Sequence, residues 1–304
     1  MTRLTDSTLT LPPSSLIICS RERPKLLFET VESILHGKDV PTEMIIIDQS
    51  IEPHPELSRM TAHRSCEIRY LHARMVGVSA SRNLGIRSSR YAFVILIDDD
   101  MLVEPDWFGN LMKAVIEAGP CSVVTGQVLA GESEVPGGKA PSIKTDQHPA
   151  VYKGRIGKDV LYTGNMGAHR SVFDQVGVFD ERLGPGTDFP AAEDNDLGYR
   201  LLEHGYSIEY EPEAMVYHRA WRSSDESLSL DWRYGVGRGA YYAKHMRWRD
   251  PYMFFRMSRD IKESLVHFLQ HALYRRKLRY DYLYSAFGIF YGAIHWRVSQ
   301  LRRS

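Results

Sequence analysis

The sequence has few cysteines and no long apolar run. Its 304 residues include only Cys19, Cys66 and Cys121, which form no CxxC pair and leave one cysteine over. This usage predicts buried, reduced thiols rather than disulfides or a zinc site. The polar stretch 1–13 lacks the apolar core of a signal peptide, and no run reaches the roughly 18 apolar residues of a membrane-spanning helix. We expect a cytoplasmic location, with peripheral attachment to the inner face of the plasma membrane as a further expectation.

A net charge is also absent, since 38 Lys and Arg balance 38 Asp and Glu. The charges are unevenly distributed: residues 1–222 carry 23 basic and 31 acidic side chains, whereas residues 223–304 carry 15 and 7. The second region also holds 17 of the 33 aromatic residues. We therefore predict a flexible N-terminus over 1–12, a globular domain over 13–222, and a basic, aromatic and mainly helical segment over 223–304.

Short apolar runs alternate with helical patterns through the first half of the chain. Apolar spacing, with Pro or Gly near the ends, predicts helices at Pro24–Leu35, Ser79–Arg87 and Glu104–Ala118. The predicted strands are Ser15–Cys19, Glu43–Ile47, Glu67–Leu71, Tyr91–Ile97 and Ser122–Val128. Apolar strands separated by helices predict an α/β fold with a parallel sheet covered on both faces.

The pattern changes after residue 130. The stretch 130–158 is rich in Gly, Pro, Lys and Ser, and an irregular stretch of this length is typical of a lid or an acceptor loop. A helix at Asn195–Leu202 and a strand at Tyr206–Tyr210 are predicted beyond it.

Three aspartates follow the apolar strand 91–97 directly. Asp98, Asp99 and Asp100 repel one another unless a cation lies among them. The carboxyl ends of parallel strands open onto the ligand crevice, and alternation along the chain lets Asp98 and Asp100 face the same way. Oxygen ligands of this kind suit Mg²⁺ or Mn²⁺ held jointly with phosphate oxygens. The alternative is a solvated turn that caps the next helix.

Six ordered sequence blocks resemble family 2 of the glycosyltransferases. They are SLIICS at 15–20, MIIIDQS at 44–50, GVSASRNLG at 77–85, IDDD at 97–100, TGNMG at 163–167 and EDNDL at 193–197, with a histidine at 218 after them. Each block is short, but their order and spacing match the family over about residues 13–222. The resemblance implies the GT-A fold, a Rossmann-like α/β nucleotide-sugar transferase with a mixed, mainly parallel sheet, here followed by a helical C-terminal segment.

The resemblance also implies roles for the matching residues. Asp48 accepts a hydrogen bond from the nucleotide base, Arg82 lies near the donor nucleotide, and Asp98 contacts the ribose. Asp100 binds the metal on the diphosphate, and His218 completes metal or diphosphate binding. The other implied donor-site residues are Ser20, Asp99, Gly164 and Asn165. As alternatives, Asp48 is a turn former and Arg82 a surface arginine.

Catalysis in the family needs a base that deprotonates the acceptor hydroxyl. The resemblance assigns this role to Asp194, with Glu193 orienting the base or the acceptor. Both acids lie at a predicted helix start, where interaction with the helix dipole is the alternative. The implied reaction is a single displacement with inversion. Because the Gln-x-x-Arg-Trp sequence of processive synthases does not follow His218, we expect transfer of one sugar at a time.

The implied donor is a UDP-sugar first, with dTDP- and GDP-sugars as alternatives, and the implied ion is Mn²⁺ or Mg²⁺. The family usually has a Pro-x-(Tyr/Phe)-Asn type of sequence after its first strand, whereas residues 19–23 are CSRER here, so the nucleotide stays open. The expected acceptor is a glycan, a lipid-linked molecule or a small molecule. The other functions considered are a nucleotidyltransferase, a metal-dependent phosphohydrolase and a non-catalytic nucleotide-sugar-binding protein.

The C-terminal segment carries a basic and aromatic sequence at Arg275–Arg279, followed by Tyr280, Tyr282 and Tyr284. This composition predicts a face that lies on an anionic membrane. The alternative is a helical lid whose basic residues face the acidic domain. The glycines of 234–242 loosely resemble a dinucleotide-binding loop, but no parallel strand precedes them, so that interpretation is rejected. No nucleic-acid partner is expected.

Overall fold

The computed structural model of the chain describes residues 10–302, apart from 137, 139, 141, 220, 222, 223 and 275–277, and apart from the side chains of 224–227. Most of the predicted flexible N-terminus therefore lies outside the described residues. The same is true of Arg275, Arg276 and Lys277 in the predicted basic face.

The first half of the chain alternates strands and helices, as its sequence predicts. The elements are β1 (Ser14–Ser20), α1 (Pro24–Leu35), β2 (Glu43–Asp48), a 3-10 turn (Leu57–Arg59), β3 (Ala62–His63), β4 (Cys66–His72), α2 (Val78–Ser88), β5 (Phe93–Asp98), β6 (Met101–Val103) and α3 (Trp107–Ala118). Strands β1, β2 and β5 pair in parallel. Helices cover both of their faces, so side chains such as Leu16 and Ile17, which point in opposite directions, are both buried.

Residues 122–218 add antiparallel strands to the sheet. Their elements are β7 (Ser122–Ala130), β8 (Ala150–Tyr152), β9 (Asn165–His169), α4 (Ser171–Val176), α5 (Glu193–Glu203) and β10 (Ser207–His218). Strand β9 lies antiparallel between β5 and β7, and β10 pairs in parallel with β7. The sheet order is β3-β4-β2-β1-β5-β9-β7-β10-β6, with β8 paired to β10. The mixed, mainly parallel α/β sheet is thus confirmed.

Some local predictions were wrong. Helix α3 begins at Trp107 instead of Glu104, because Met101–Val103 pairs with the end of β10 before the helix starts. Strand β9 was missed, since its sequence, NMGAH, mixes small and polar residues and shows no apolar run. The cysteines are free, but Cys121 is exposed rather than buried.

The C-terminal segment consists of three long helices, α6 (Ser224–His245), α7 (Tyr252–Tyr274) and α8 (Tyr280–Leu301). Tyr241 and Tyr242 of α6 are fully buried in a cluster with Tyr199 of α5 and Met253 of α7. Through this cluster the helical segment packs against the domain of residues 13–222, beside the start of α5. Within the described parts of the chain, no helix is both long and apolar enough to cross a bilayer.

Candidate active site

A cavity of about 1060 Å³ opens where β1 and β5 end. Ser20 from β1, Asp98 from β5, Asp194 from α5 and His218 from β10 all line it, together with Arg238 from α6. These residues are far apart in the sequence. They meet because the carboxyl ends of the parallel strands share one edge of the sheet, which is the usual ligand edge of an α/β fold.

The three aspartates after β5 are held by a serine, an arginine and a histidine. Ser20 Oγ donates to Asp99 Oδ2 at 2.6 Å, and Arg23 Nη1 lies 3.1 Å from Asp99 Oδ1 and 3.0 Å from Asp100 Oδ2. His218 Nε2 lies 3.3 Å from Asp100 Oδ1. Burial and the neighbouring charge of Asp100 raise the pKa of Asp99 to about 7, against the attraction of Arg23. The turn is therefore short of positive charge and suited to a cation.

Asp100 and His218 fit a divalent ion by their chemistry. Both side chains are almost fully buried and both line the cavity. A carboxylate oxygen and an imidazole nitrogen are ligands that Mn²⁺ accepts, and diphosphate oxygens can complete the coordination. Among the residues that the structure describes, no group of three or more His, Cys, Asp or Glu side chains is arranged to hold a metal. An ion here would thus be shared between the protein and its ligand.

Arg82 lies at the centre of a second charged group. Its Nη2 donates to Asp98 Oδ1 at 2.8 Å, and its Nη1 lies 3.3 Å from Glu193 Oε1 and 3.4 Å from Asp194 Oδ1. Burial opposes its charge, but the three carboxylates raise the pKa of Arg82 above its ordinary value. Arg82 is buried, and Ser79 Oγ on the same helix donates to Leu183 O at 2.6 Å, which joins α2 to the loop before α5. Arg82 is therefore not a surface arginine.

Glu193 and Asp194 form the first turn of α5, as the sequence predicts. Thr163 holds Asp194 with its backbone N–H, at 3.2 Å from Oδ2, and with its hydroxyl, which donates to Oδ1. Burial and the charge of Asp194 raise the pKa of Glu193 to about 7. Burial also raises the pKa of Asp194, although Arg82 and Thr163 favour its charged form. The pair can thus hold or accept a proton near neutral pH.

The residue before this turn has an unusual backbone conformation. Ala192 has φ 71° and ψ 16°, in the left-handed region that residues with a Cβ seldom adopt. It is buried against α6, where Gly237 approaches the backbone of Ala191 too closely for any side chain. Strain of this kind is typical of functional sites and persists only where the surrounding packing holds it. Helix α6 therefore helps to set the position of the two acids.

Three predicted donor residues do not line the cavity. The Asn165 side chain is fully buried, where it donates to Gln127 O at 3.0 Å and Ala214 O at 2.8 Å and accepts from Trp107 Nε1 at 2.8 Å. The amide thus joins β9 to its neighbours, and the predicted contact of Asn165 with the donor stays a prediction. Gly164 lies against Asp98, where a Cβ would overlap the carboxylate, so the glycine makes room for Asp98.

Asp48 is the third of these residues. It lies at the end of β2, accepts a hydrogen bond from the Tyr70 hydroxyl, and accepts another from Ser50 N at 2.8 Å. Its neighbour Gln49 lines the cavity instead. Asp48 thus has the turn-forming role in the structure, and its contact with the base of the donor nucleotide stays a prediction.

Several basic residues of the cavity, among them Arg23 and Lys144, were not predicted from the sequence. Arg23 belongs to the segment 19–23, which departs from the family pattern. This departure was the only feature of the sequence that could have indicated Arg23 as a site residue. Lys144 lies in the irregular stretch 130–158, where its Nζ is 4.7 Å from the centre of the Tyr210 ring and donates to Val160 O at 2.8 Å. Burial lowers the pKa of Lys144 to about 8. The irregular stretch therefore forms part of the cavity wall.

A second cavity, of about 460 Å³, adjoins the first between α6, α7 and α8. The two cavities share Lys158, Asp159, Asp231, Arg238 and Ser285. A polar path therefore leads from the two acid clusters into the helical segment.

Known proteins resemble this chain in sequence and in fold. It is 27% identical over 242 residues to the glucosyl-dolichyl phosphate glucuronosyltransferase of Haloferax volcanii, covering 72% of each chain. It is 23% identical over 239 residues to the hyaluronan synthase of Pasteurella multocida, covering 67% of this chain and only 24% of that protein. The fold resembles S. aureus TarS 1–349 in complex with UDP-GlcNAc, with a TM-score of 0.56 and 12% identity over 95% of this chain and 92% of that one.

The family assignment follows from the catalytic region itself. Residues 15–177 match the family described as Glycosyl transferase family 2. This range contains β1, β5 and the three aspartates, and so one side of the cavity described above. The chain therefore belongs to glycosyl transferase family 2 and is a glycosyltransferase with the GT-A fold.

Proposed function

We propose that this enzyme transfers a single sugar from a nucleoside-diphosphate sugar to an acceptor hydroxyl, with inversion at the anomeric carbon and with a divalent ion. The observation that carries the proposal is that the Asp98–Asp100 turn and the Glu193–Asp194 turn line one cavity and share Arg82 between them. A transferase needs a cation-binding site for the leaving diphosphate and a proton acceptor within reach of it. The two acid clusters provide groups of both kinds.

Asp100 and His218 are the proposed metal ligands. When bound, Mn²⁺ or Mg²⁺ would offset the negative charge that develops on the leaving diphosphate. Arg23 contributes positive charge at the same turn, since it already contacts Asp99 and Asp100. Ser20 orients Asp99 through its 2.6 Å hydrogen bond, and this keeps the turn in one conformation.

Asp194 is the proposed base. It would take the proton of the acceptor hydroxyl as that oxygen attacks the anomeric carbon, so that one displacement inverts the configuration. Thr163 holds the carboxylate in place, and Arg82 joins it to Asp98 on the donor side. Glu193 shares Arg82 with the base and orients it.

The donor to test first is a UDP-sugar, because the structurally similar TarS is described in complex with UDP-GlcNAc. The proposed acceptor is a glycan, a lipid-linked molecule or a small molecule, and the polar path through the second cavity is a route for it. The proposed location is the cytoplasm, where free thiols such as those of Cys19 and Cys66 persist.

Calorimetric titration with UDP, GDP, dTDP and CDP, each with Mn²⁺ and then with EDTA, tests the donor site. We expect one nucleotide to bind, with its affinity lost on chelation. Asp100→Ala should reduce the Mn²⁺-dependent affinity by at least about tenfold, since it removes a charged ligand worth more than 1.4 kcal/mol. Asp106→Ala, an exposed aspartate just before α3, is the matched control and should bind like the parent. If the nucleotide binds equally well with Mn²⁺ and with EDTA, or equally well to the parent and to Asp100→Ala, the proposed metal site is contradicted.

A further inference from the structure

Helix α7 presents an apolar face to solvent. Phe254, Phe255, Leu265, Leu269 and Leu273 are between 40% and 72% exposed. At about 100° per residue, these positions fall within an arc of about 120° on one side of the helix. The opposite side carries the buried residues Met253, Arg256 and Asp260. The exposed apolar residues are therefore not part of the core of this chain.

Helix α8 shows the same division. Its exposed apolar side chains are Tyr280, Tyr284, Phe287, Phe290, Tyr291, Ile294 and Val298, of which Phe287 is 61% and Phe290 59% exposed. Its other side carries Gly288, Ile289, Gly292 and Trp296, which are buried. A soluble monomer rarely exposes apolar side chains in such continuous stripes, and large exposed patches mark interaction surfaces.

The charges exposed in the C-terminal segment are mostly positive. Within the described residues 228–302, seven basic side chains are exposed and one acidic side chain is exposed, Glu263. The basic residues are Arg233, Arg247, Arg249, Arg259, Lys262, Arg297 and Arg302. The acidic residues of the segment are instead turned inward: Asp260, for example, contacts Arg238 at 2.8 Å. Arg233 and Arg259 line the two cavities, and the other five exposed basic residues make the outer surface of the segment mainly basic.

One exposed tryptophan lies in the turn between α6 and α7. Trp248 is 101% exposed, and Arg247 and Arg249 flank it. Tryptophan beside arginine is typical of membrane interfaces, where the ring lies at headgroup level and the guanidinium contacts phosphate.

We propose that the exposed faces of α7 and α8 bind an anionic membrane surface, with their apolar side chains among the acyl chains and their basic side chains at the phosphates. A second copy of this chain fits less well, because a symmetric contact of these faces would bring Lys262 of α7 and Arg297 of α8 against identical cations. Membrane binding needs neither donor nor metal, so its failure and the failure of the proposed transfer are distinguishable.

Co-sedimentation with lipid vesicles tests the proposal on the full chain. We expect binding to vesicles of phosphatidylcholine mixed with phosphatidylglycerol to be at least about tenfold tighter than to phosphatidylcholine alone, since an anionic surface attracts the exposed basic residues. Leu269→Glu combined with Phe290→Glu should abolish binding to both. Ile51→Glu, at an 82% exposed site on the catalytic domain, is the matched control and should bind like the parent.

Arg247→Glu combined with Arg249→Glu should remove most of the preference for anionic vesicles. Circular dichroism and UDP calorimetry with Mn²⁺ check that each variant is folded. Absence of vesicle binding, equal binding to both vesicle types, or unchanged binding by the Leu269→Glu, Phe290→Glu variant overturns the proposal. Sedimentation equilibrium gives a further test. If the parent is a dimer and the Leu269→Glu, Phe290→Glu variant is a monomer, the faces bind a second copy of the chain, and the membrane proposal is overturned.

Discussion

At the scale of single residues, Arg82 links the two acid clusters. It comes from the first turns of α2, while Asp98 follows β5 and Glu193 and Asp194 begin α5. One guanidinium faces three carboxylates, and burial together with the charge of Asp194 raises the pKa of Glu193 to about 7. Burial also raises the pKa of the proposed base, Asp194, and this favours proton acceptance because general bases work best when their pKa is near the working pH.

Asp194→Asn tests the proposed base. The amide keeps the size and one acceptor oxygen for Thr163 but cannot take a proton at neutral pH. We expect donor binding within about threefold of the parent and a kcat lower by about 10²–10⁴. The measurement is sugar transfer to the acceptor, or to water when no acceptor is added, alongside donor calorimetry. Asp188→Asn, an exposed aspartate in the preceding loop, should transfer normally. Full transfer by Asp194→Asn rules out this base.

Glu193→Gln should change how stability depends on pH. The pKa of Glu193 is about 7 in the folded protein against an ordinary 4.5. Between these values the folded chain keeps a proton that the unfolded chain has released, so stability falls as the pH rises through this window. The amide never ionises, so the variant should gain stability relative to the parent from about pH 4.5 to 7, by about 1 kcal/mol per pKa unit. Thermal denaturation of the variant and the parent across this pH range measures the difference in stability. A difference that stays constant with pH contradicts the raised pKa of Glu193.

At the scale of elements, glycines set the distance between α6 and α8. Gly235 and Gly239 on α6 face Gly288 and Gly292 on α8, each pair four residues apart. A Cβ built on Gly235 would lie 2.6 Å from Ser285 O and 3.0 Å from Gly288 Cα. Small residues at this spacing let two helix backbones touch. The glycines of 234–242 thus have a packing role, which agrees with the rejection of a dinucleotide loop.

Gly292→Ala should destabilise the helical segment. The new methyl group would overlap Val236 O, and a backbone carbonyl cannot move unless the helices separate. Overpacking of this kind costs about 1–3 kcal/mol, more than the 0.5–1 kcal/mol that alanine gains over glycine in a helix. Chemical denaturation should show the loss. Phe290→Ala, at an exposed position on the same helix, should change stability by less than about 0.5 kcal/mol. A more stable Gly292→Ala variant would contradict the contact.

At the scale of the whole molecule, Asp196 joins the catalytic domain to the helical segment. This buried residue of α5 contacts Lys244 Nζ at 2.6 Å and His245 Nε2 at 2.7 Å, both from α6, and Arg200 Nε at 2.9 Å. Burial opposes its charge, but the hydrogen bond from His245 and the charges of Lys244 and Arg200 lower the pKa of Asp196 to about 2. The same helix start carries Glu193 and Asp194, so these ionic contacts between α5 and α6 lie next to the proposed base.

Asp196→Asn should weaken this joint at neutral pH. The folded pKa of about 2 lies below the ordinary 3.8, so the ionised form stabilises the fold above pH 3.8 and this contribution is lost as the pH falls towards 2. We expect the variant to lose about 2 kcal/mol at pH 7 and to approach the parent below about pH 2. Denaturant unfolding at several pH values measures both. Asp174→Asn, an exposed site on α4, should match the parent throughout. A loss independent of pH argues against the ionic contact.

Most of the parallel half of the fold could be predicted from the sequence. Strand β1, helix α1 and strand β2 agree with the prediction to within one residue at each end. Apolar spacing is a local property, and fully apolar strands require cover on both faces whatever the rest of the chain does. Strand β9 and the exposed Cys121 could not be predicted, because their surroundings depend on distant residues.

The sequence by itself determined where the acids lie, at the end of β5 and at the start of α5, since both positions follow from local periodicity. Only the tertiary structure decided which partners they have. Arg82 contacts Asp98, which is 16 positions away along the chain, and Glu193, which is 111 positions away, while the Asn165 side chain is buried in the core. The residues that share a charge contact or a hydrogen bond are far apart in the sequence and are brought together by the sheet. Their pairing therefore leaves no periodic pattern in the sequence.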